Sequence, residues 1–265
     1  MKYIRSLKEN NPLIHCITNP ISINQCANAI LAVGCRPIMA EHPSEVREIT
    51  KTSQALLLNL GNITDVRMES MLISAKAATE QKIPIVIDAV GIACSELRRD
   101  FVCRLIENNK PTVIKGNYSE INALYNSSYK AAGVDSEAVL DVKSISAASI
   151  SLSEKYNSII LASGKTDIVT DGRKLLRISN GSLQLAQVTG TGCMLGALAA
   201  CCMSGEKSTE AAALACGILG ICGELSETNK GSGSFMINLI DNLSLLTDKI
   251  LKENLKMEEM NIEKA

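Results

Sequence analysis

The sequence predicts an α/β fold with a mainly parallel central sheet flanked by helices, and three observations carry that prediction. Short aliphatic and β-branched runs alternate with longer segments of helical spacing along most of the chain. The short runs are apolar at consecutive positions, as at Leu56, Leu57 and Leu58 or Ile85, Val86 and Ile87, which suits strands covered on both faces. After residue 165 the pattern changes to brief strands joined by Asp171-Gly172 and Asn180-Gly181, the strongest two-residue hairpin signals, so a small antiparallel meander is expected near 166–188.

The individual elements follow in order. Strands are expected at 13–17, 36–39, 55–60, 85–88, 112–115 and 158–162, each a short β-branched or aliphatic run. Helices are expected at 23–33, 44–52, 65–82, 95–108 and 136–156, where apolar residues recur at helical spacing. Asp65 and Ser95 suit N-caps, and Ser119 brings Glu120 into a first turn. The meander divides into 167–170, 174–179 and 183–188, and the chain then reads as helical at 193–203, 208–228 and 234–255. The charged tail 256–265 is expected to fray. No linker, repeat or low-complexity tract breaks the pattern, so residues 1–265 read as one domain.

Composition narrows the function classes. With Lys+Arg 27 against Asp+Glu 28, nothing favours nucleic acid or an anionic membrane. Two Phe and no Trp leave few platforms for stacking bases. No segment reads as a spanning helix, and the first residues lack the apolar core of a secretory signal. A cytoplasmic protein is expected. Ten cysteines show no C-x-x-C pair and have two histidines for company, which argues against zinc. Most sit among Ala, Ile, Leu and Gly, as small hydrophobes in a reducing compartment do.

Several segments can carry chemistry. In Thr189-Gly190-Thr191-Gly192-Cys193, two glycines precede a small-residue helix, so converging N–H groups and the helix start can cradle an anion. A Gly-rich helix entry with a packing cysteine fits the same residue types. A dinucleotide fingerprint does not, because Gly190, Gly192 and Gly196 give G-x-G-x-x-x-G, one residue too long. A P-loop ending at Gly164-Lys165-Thr166 fails because Ile159 holds the position of its first glycine. Asp88 ends the strongest strand, where ligands of open α/β sheets gather; a turn or capping aspartate is the other reading. Lys115, Asn117 and Glu120 follow the next strand and suit phosphate with a hydrated Mg2+, although a solvated loop entering a helix would look alike. Ser163 offers a hydroxyl, His15 reads as a structural histidine, and Met39 lines either core or an apolar slot.

Taken together, these segments resemble the hydroxyethylthiazole kinase family of ribokinase-like enzymes. His15-Cys-Ile-Thr-Asn19 is similar to its H-[SC]-I-T-N entry, and Pro37-Ile-Met-Ala40 to its P-x-M-A. Asn59-Leu-Gly61, Asp88-Ala-Val-Gly91 and Lys115-Gly-Asn-Tyr-Ser-Glu120 resemble its N-[IL]-G, D-P-V-G and R-G-N-x-x-E. Thr189 to Cys193 matches its T-G-x-G-C, and Gly231-Ser-Gly-Ser-Phe235 its late G-[PS]-[GA]-S-F. Ala89, Lys115 and Ser163 depart from the usual Pro, Arg and Thr. The resemblance implies ATP-dependent phosphorylation of 4-methyl-5-(2-hydroxyethyl)thiazole in thiamine salvage, by a homotrimer with active sites at subunit interfaces. It implies an anion hole at Gly190 and Gly192, with Cys193 beside the reacting hydroxyl as proton acceptor or positioning group. Asp88 and Glu120 would organise Mg2+, Lys115, Asn117 and Ser163 would serve ATP, and Met39, Asn19 and Gly190 would contact the thiazole.

Overall fold

The computed structural model describes residues 3–126, 128–129 and 141–260. Among the described residues, nine strands form one sheet: β1 (Leu13–Ile17), β2 (Arg36–Ile38), β3 (Ala55–Asn59), β4 (Ile85–Asp88), β5 (Val113–Asn117), β6 (Ile159–Ser163), β7 (Asp167–Thr170), β8 (Leu175–Ile178) and β9 (Met257–Met260). Their order is β2-β1-β3-β4-β5-β6-β7-β8-β9, parallel through β6 and antiparallel from there. The helices are α1 (Tyr3–Asn10), α2 (Ile23–Ala32), α3 (Val46–Thr52), α4 (Asp65–Glu80), α5 (Glu96–Asn109), α6 (Tyr118–Tyr125), α7 (Val142–Tyr156), α8 (Thr191–Gly205), α9 (Thr209–Leu225), α10 (Ser232–Leu245) and α11 (Asp248–Asn254).

The pleat explains the consecutive apolar residues. Leu57, Val86, Val113 and Leu161 face one core with α2, α8, α9 and α10, while Leu56, Leu58, Ile87, Ile114 and Ile160 face a second core with α4 to α7. Side chains alternate across a strand, so a sheet buried on both sides has no polar face to show. Each buried Leu or Ile stabilises by about 1.5–3 kcal/mol relative to exposure.

Most expected elements appear within a few residues of their places, and five features differ. Asp65 is the first helical residue rather than the cap; Thr64 caps α4 by accepting from the Arg67 N–H. Residues 183–188 form no third meander strand: Leu183–Gln187 is a 3-10 helix with Leu183 85% exposed. Their alternation has no sheet edge to lie on, because β9 takes it. The tail expected to fray therefore supplies that strand through residues 257–260. The expected helix at 234–255 breaks at Leu246, whose extended backbone separates α10 from α11, with Thr247 capping the second. Helix α1 was not foreseen. The start expected at 136 lies outside the described residues. Ser95 does cap α5, accepting from the Arg98 N–H.

Candidate active site

The sheet order reverses between β1 and β3, and α/β sheets bind ligands beyond the strand ends at such a point. The chemistry-bearing residues collect there. Asn59, Asp88 and Lys115 lie side by side in register at the carboxyl ends of β3, β4 and β5. They share the parity of Leu57, Val86 and Val113, so their side chains point toward the α8 face.

Contact follows from that register. The Lys115 Nζ donates to Asp88 Oδ1 at 2.9 Å and to the Gly192 carbonyl at 3.0 Å. Asn59 Nδ2 donates to Asp88 Oδ2 at 2.7 Å. Asn19, just beyond β1, donates through Nδ2 to Asn59 Oδ1 at 2.9 Å and to Cys193 Sγ at 3.5 Å. Asn59 was legible only as part of a motif; its place beside Asp88 depends on strand register.

Helix α8 begins with Gly190 at φ +92, a left-handed conformation that favours glycine, and no side chain caps it. The first N–H groups of a helix have no intrahelical acceptor, so those of Thr191, Gly192 and Cys193 face outward with the positive end of the helix. A Cβ at Gly196 would come within 3.1 Å of Asp88 Oδ2, so glycine there lets α8 lie close on β4. The Cys193 thiol is half-buried at the lip.

Glu120 is buried under the same edge. Its Oε1 accepts from the Gly91 N–H and its Oε2 from the Asn117 N–H, both at 2.7 Å, while Asn117 Oδ1 accepts from the Glu120 N–H at 2.9 Å. This capping box starts α6. Asn117 is thus engaged by the helix start. Burial pushes Glu120 up to about 7, against the pull of Lys115. Burial also raises the Asp88 carboxyl, against Lys115 and Asn59. For Lys115 burial disfavours the charge, yet Asp88, Glu120 and Cys193 outweigh it and raise the ammonium above its ordinary value.

The remaining expected residues lie nearby. Ser163 ends β6 in register with Asn117, its hydroxyl 3.4 Å from the Gly116 carbonyl. Met39 lies just past β2 and packs on the core beside α8. The following carbonyl, of Ala40, accepts from His15 Nε2 at 2.9 Å, so that nitrogen carries a proton, and Nδ1 lies 2.9 Å from the Thr50 hydroxyl oxygen. His15 is structural and pins the Met39 segment. Lys115 is the residue whose surroundings differ most from a phosphate contact: it is 3% exposed and directed into the sheet edge. Among the described residues, no group of three or more His, Cys, Asp or Glu side chains is arranged to hold a metal.

The model of the hydroxyethylthiazole kinase family matches residues 4–249, nearly the whole of this arrangement. The chain belongs to that family. It is 48% identical over 262 residues to "Hydroxyethylthiazole kinase 2" of Clostridium botulinum (strain Hall), covering 97% of this chain and 99% of the relative. It is 43% identical over 254 residues to the hydroxyethylthiazole kinase of Finegoldia magna, covering 96% and 94%. Among solved structures, the hydroxyethylthiazole kinase protein of Pyrococcus horikoshii OT3 superposes with TM-score 0.90 at 29% identity, over 97% of each chain. A Staphylococcus aureus pyridoxal kinase solved with ADP shares the fold at TM-score 0.67 and 12% identity, over 94% of this chain and 97% of that one. Membership of the hydroxyethylthiazole kinase family makes the chain a kinase with a ribokinase-like fold. No helix among the described residues is long and apolar enough to cross a membrane.

Proposed function

We propose that residues 1–265 form a single-domain cytoplasmic kinase that transfers the γ-phosphoryl group of ATP to the primary hydroxyl of 4-methyl-5-(2-hydroxyethyl)thiazole, in thiamine salvage. The observation that carries this reading is the start of α8, where uncapped N–H groups, a thiol and the Lys115 ammonium meet at one strand end. Phosphoryl transfer needs little covalent help and gains most from positioning and charge stabilisation. The N–H groups from Gly190 to Cys193 hold the charge developing on the transferred group. Lys115 adds fixed positive charge behind them and braces the turn through the Gly192 carbonyl.

Cys193 takes the hydroxyl proton or holds the hydroxyl in line, and Asn19, Met39 and Gly190 form the thiazole side of the pocket. Ser163 and Asn117, with Lys115 behind them, form the ATP side. The four carboxylate oxygens of Asp88 and Glu120 already accept hydrogen bonds, which suits contact with Mg2+ through its waters rather than a full protein cage. Mg2+, when bound, neutralises charge on the ATP phosphates. The reading includes a homotrimer with active sites at its interfaces. Exposed Ile21, Leu183 and Ile237 support that assembly, lying on or next to α2, the 3-10 helix and α10, of which α10 touches the other two.

The test is ADP release with ATP and Mg2+, with and without the thiazole alcohol. Release should depend on the alcohol, and Cys193→Ser should lower kcat by at least about tenfold if the thiol accepts the proton. Release indifferent to the alcohol would sink the reading, and full activity in Cys193→Ser would remove the proton-acceptor role.

A further inference from the structure

The carboxamides of Asn19 and Asn59 can each be oriented in one way only. Asn59 Oδ1 accepts from the Gly61 N–H at 2.9 Å, and its Nδ2 faces the Asp88 carboxylate at 2.7 Å, itself paired with Lys115. Independently, Asn19 Oδ1 accepts from the N–H groups of Ile21 at 3.1 Å and Ser22 at 3.2 Å. A backbone N–H can only donate, so in both residues the oxygen is the atom facing it. Asn19 Nδ2 is therefore a donor with two hydrogens and two acceptors in reach, Asn59 Oδ1 at 2.9 Å and Cys193 Sγ at 3.5 Å. One hydrogen goes to Asn59, which leaves the other for the sulfur.

We propose that Asn59 is a positioning residue for Cys193, holding the Asn19 amide so that an N–H is directed at the sulfur. A donor on that side meets a lone pair of the sulfur and stabilises charge that develops there. It also leaves the side of the sulfur away from Asn19 to meet a hydroxyl proton. The fixed end of the chain is the Lys115–Asp88 pair, buried at 4% and 0% exposure, so the orientation is anchored in the sheet rather than in the loop. Asn59 itself is fully buried, with its side chain spent on Asn19, Gly61 and Asp88. Its catalytic meaning rests on the kinase reading above, whereas its effect on the thiol does not.

The test separates the two. Carbamidomethylation by iodoacetamide at fixed pH, followed peptide by peptide, gives the rate at Cys193 relative to exposed Cys94 in the same molecule. Asn59→Leu should lower that ratio by at least about threefold. In turnover it should lower kcat while the KM for the thiazole alcohol stays within about twofold. A purely structural role would loosen the turn and speed Cys193 alkylation. Asn19→Ser keeps an oxygen for the Ile21 and Ser22 N–H groups but has no second donor, so it should fold and slow alkylation likewise. Its result decides the matter alone if Asn59→Leu does not melt cooperatively. An unchanged or raised ratio overturns the proposal, and a lowered ratio without any kinase activity would uphold it while refuting the kinase reading.

Discussion

Lys115 holds the site together by charge, because its ammonium is the partner that makes a buried Asp88 affordable. Removing one member of such a pair strands the other in a medium that cannot solvate it, at about 3–5 kcal/mol. Lys115→Met should therefore destabilise the fold by about that amount in urea unfolding, where an exposed lysine would cost less than about 0.5 kcal/mol. A small effect would mean that the pair is not buried in solution. The residue types at 88, 115, 120 and 193 were legible in the sequence because glycines and polar groups stood at strand and helix ends. Their directions were not. That Lys115 reaches Asp88 and the Gly192 carbonyl, and that Asn59 bridges Asn19 and Asp88, depends on strand register and on how closely α8 lies, neither of which local spacing encodes.

At the scale of elements, the turn between β6 and β7 shows how a carboxylate shapes a loop. Asp167 Oδ1 accepts from the Gly164 N–H at 3.0 Å, closing the turn next to Ser163. Burial pushes its carboxyl up to about 6 from an ordinary 3.8, although Gly164, Cys216 and Lys115 pull it down. The folded state then binds the proton more tightly than the unfolded chain, so stability falls as pH rises from about 4 to about 6 and levels off above. The loss is at most about 3 kcal/mol. Asp167→Asn keeps the acceptor and removes the titration, so its melting temperature should lose that slope and exceed the parent's above pH 6. A melting profile with the slope intact would reject Asp167 as its source. The meander was half legible for a related reason. Asp171-Gly172 marks the β7–β8 hairpin correctly, but at Asn180-Gly181 the chain leaves the sheet. There Asn180 accepts from the Lys256 N–H at 2.7 Å and donates to the Asn254 carbonyl at 2.9 Å. A hairpin signal cannot announce that its asparagine serves a distant segment.

For the whole molecule, the parallel sheet between two helical layers was legible because unbroken apolar strands exclude a one-faced sheet, and the two cores bear that out. Assembly is argued at this scale as well. Ile21, Leu183 and Ile237 are 59%, 85% and 65% exposed on neighbouring elements, a costly display of apolar surface for a monomer. Sedimentation velocity at micromolar concentration should give three times the 28.4 kDa of one chain. A 28.4 kDa species would refute the trimer.

The pairing of β8 with β9 bears on synthesis. Residues 175–178 leave the ribosome long before 257–260, and every strand from β2 to β7 can already be paired by then. Until the later segment emerges, β8 presents an unpaired edge, the kind of surface that recruits foreign strands. The nascent chain thus carries that open edge while α8, α9 and α10 are being made, and β9 can close it only once residues 257–260 have emerged.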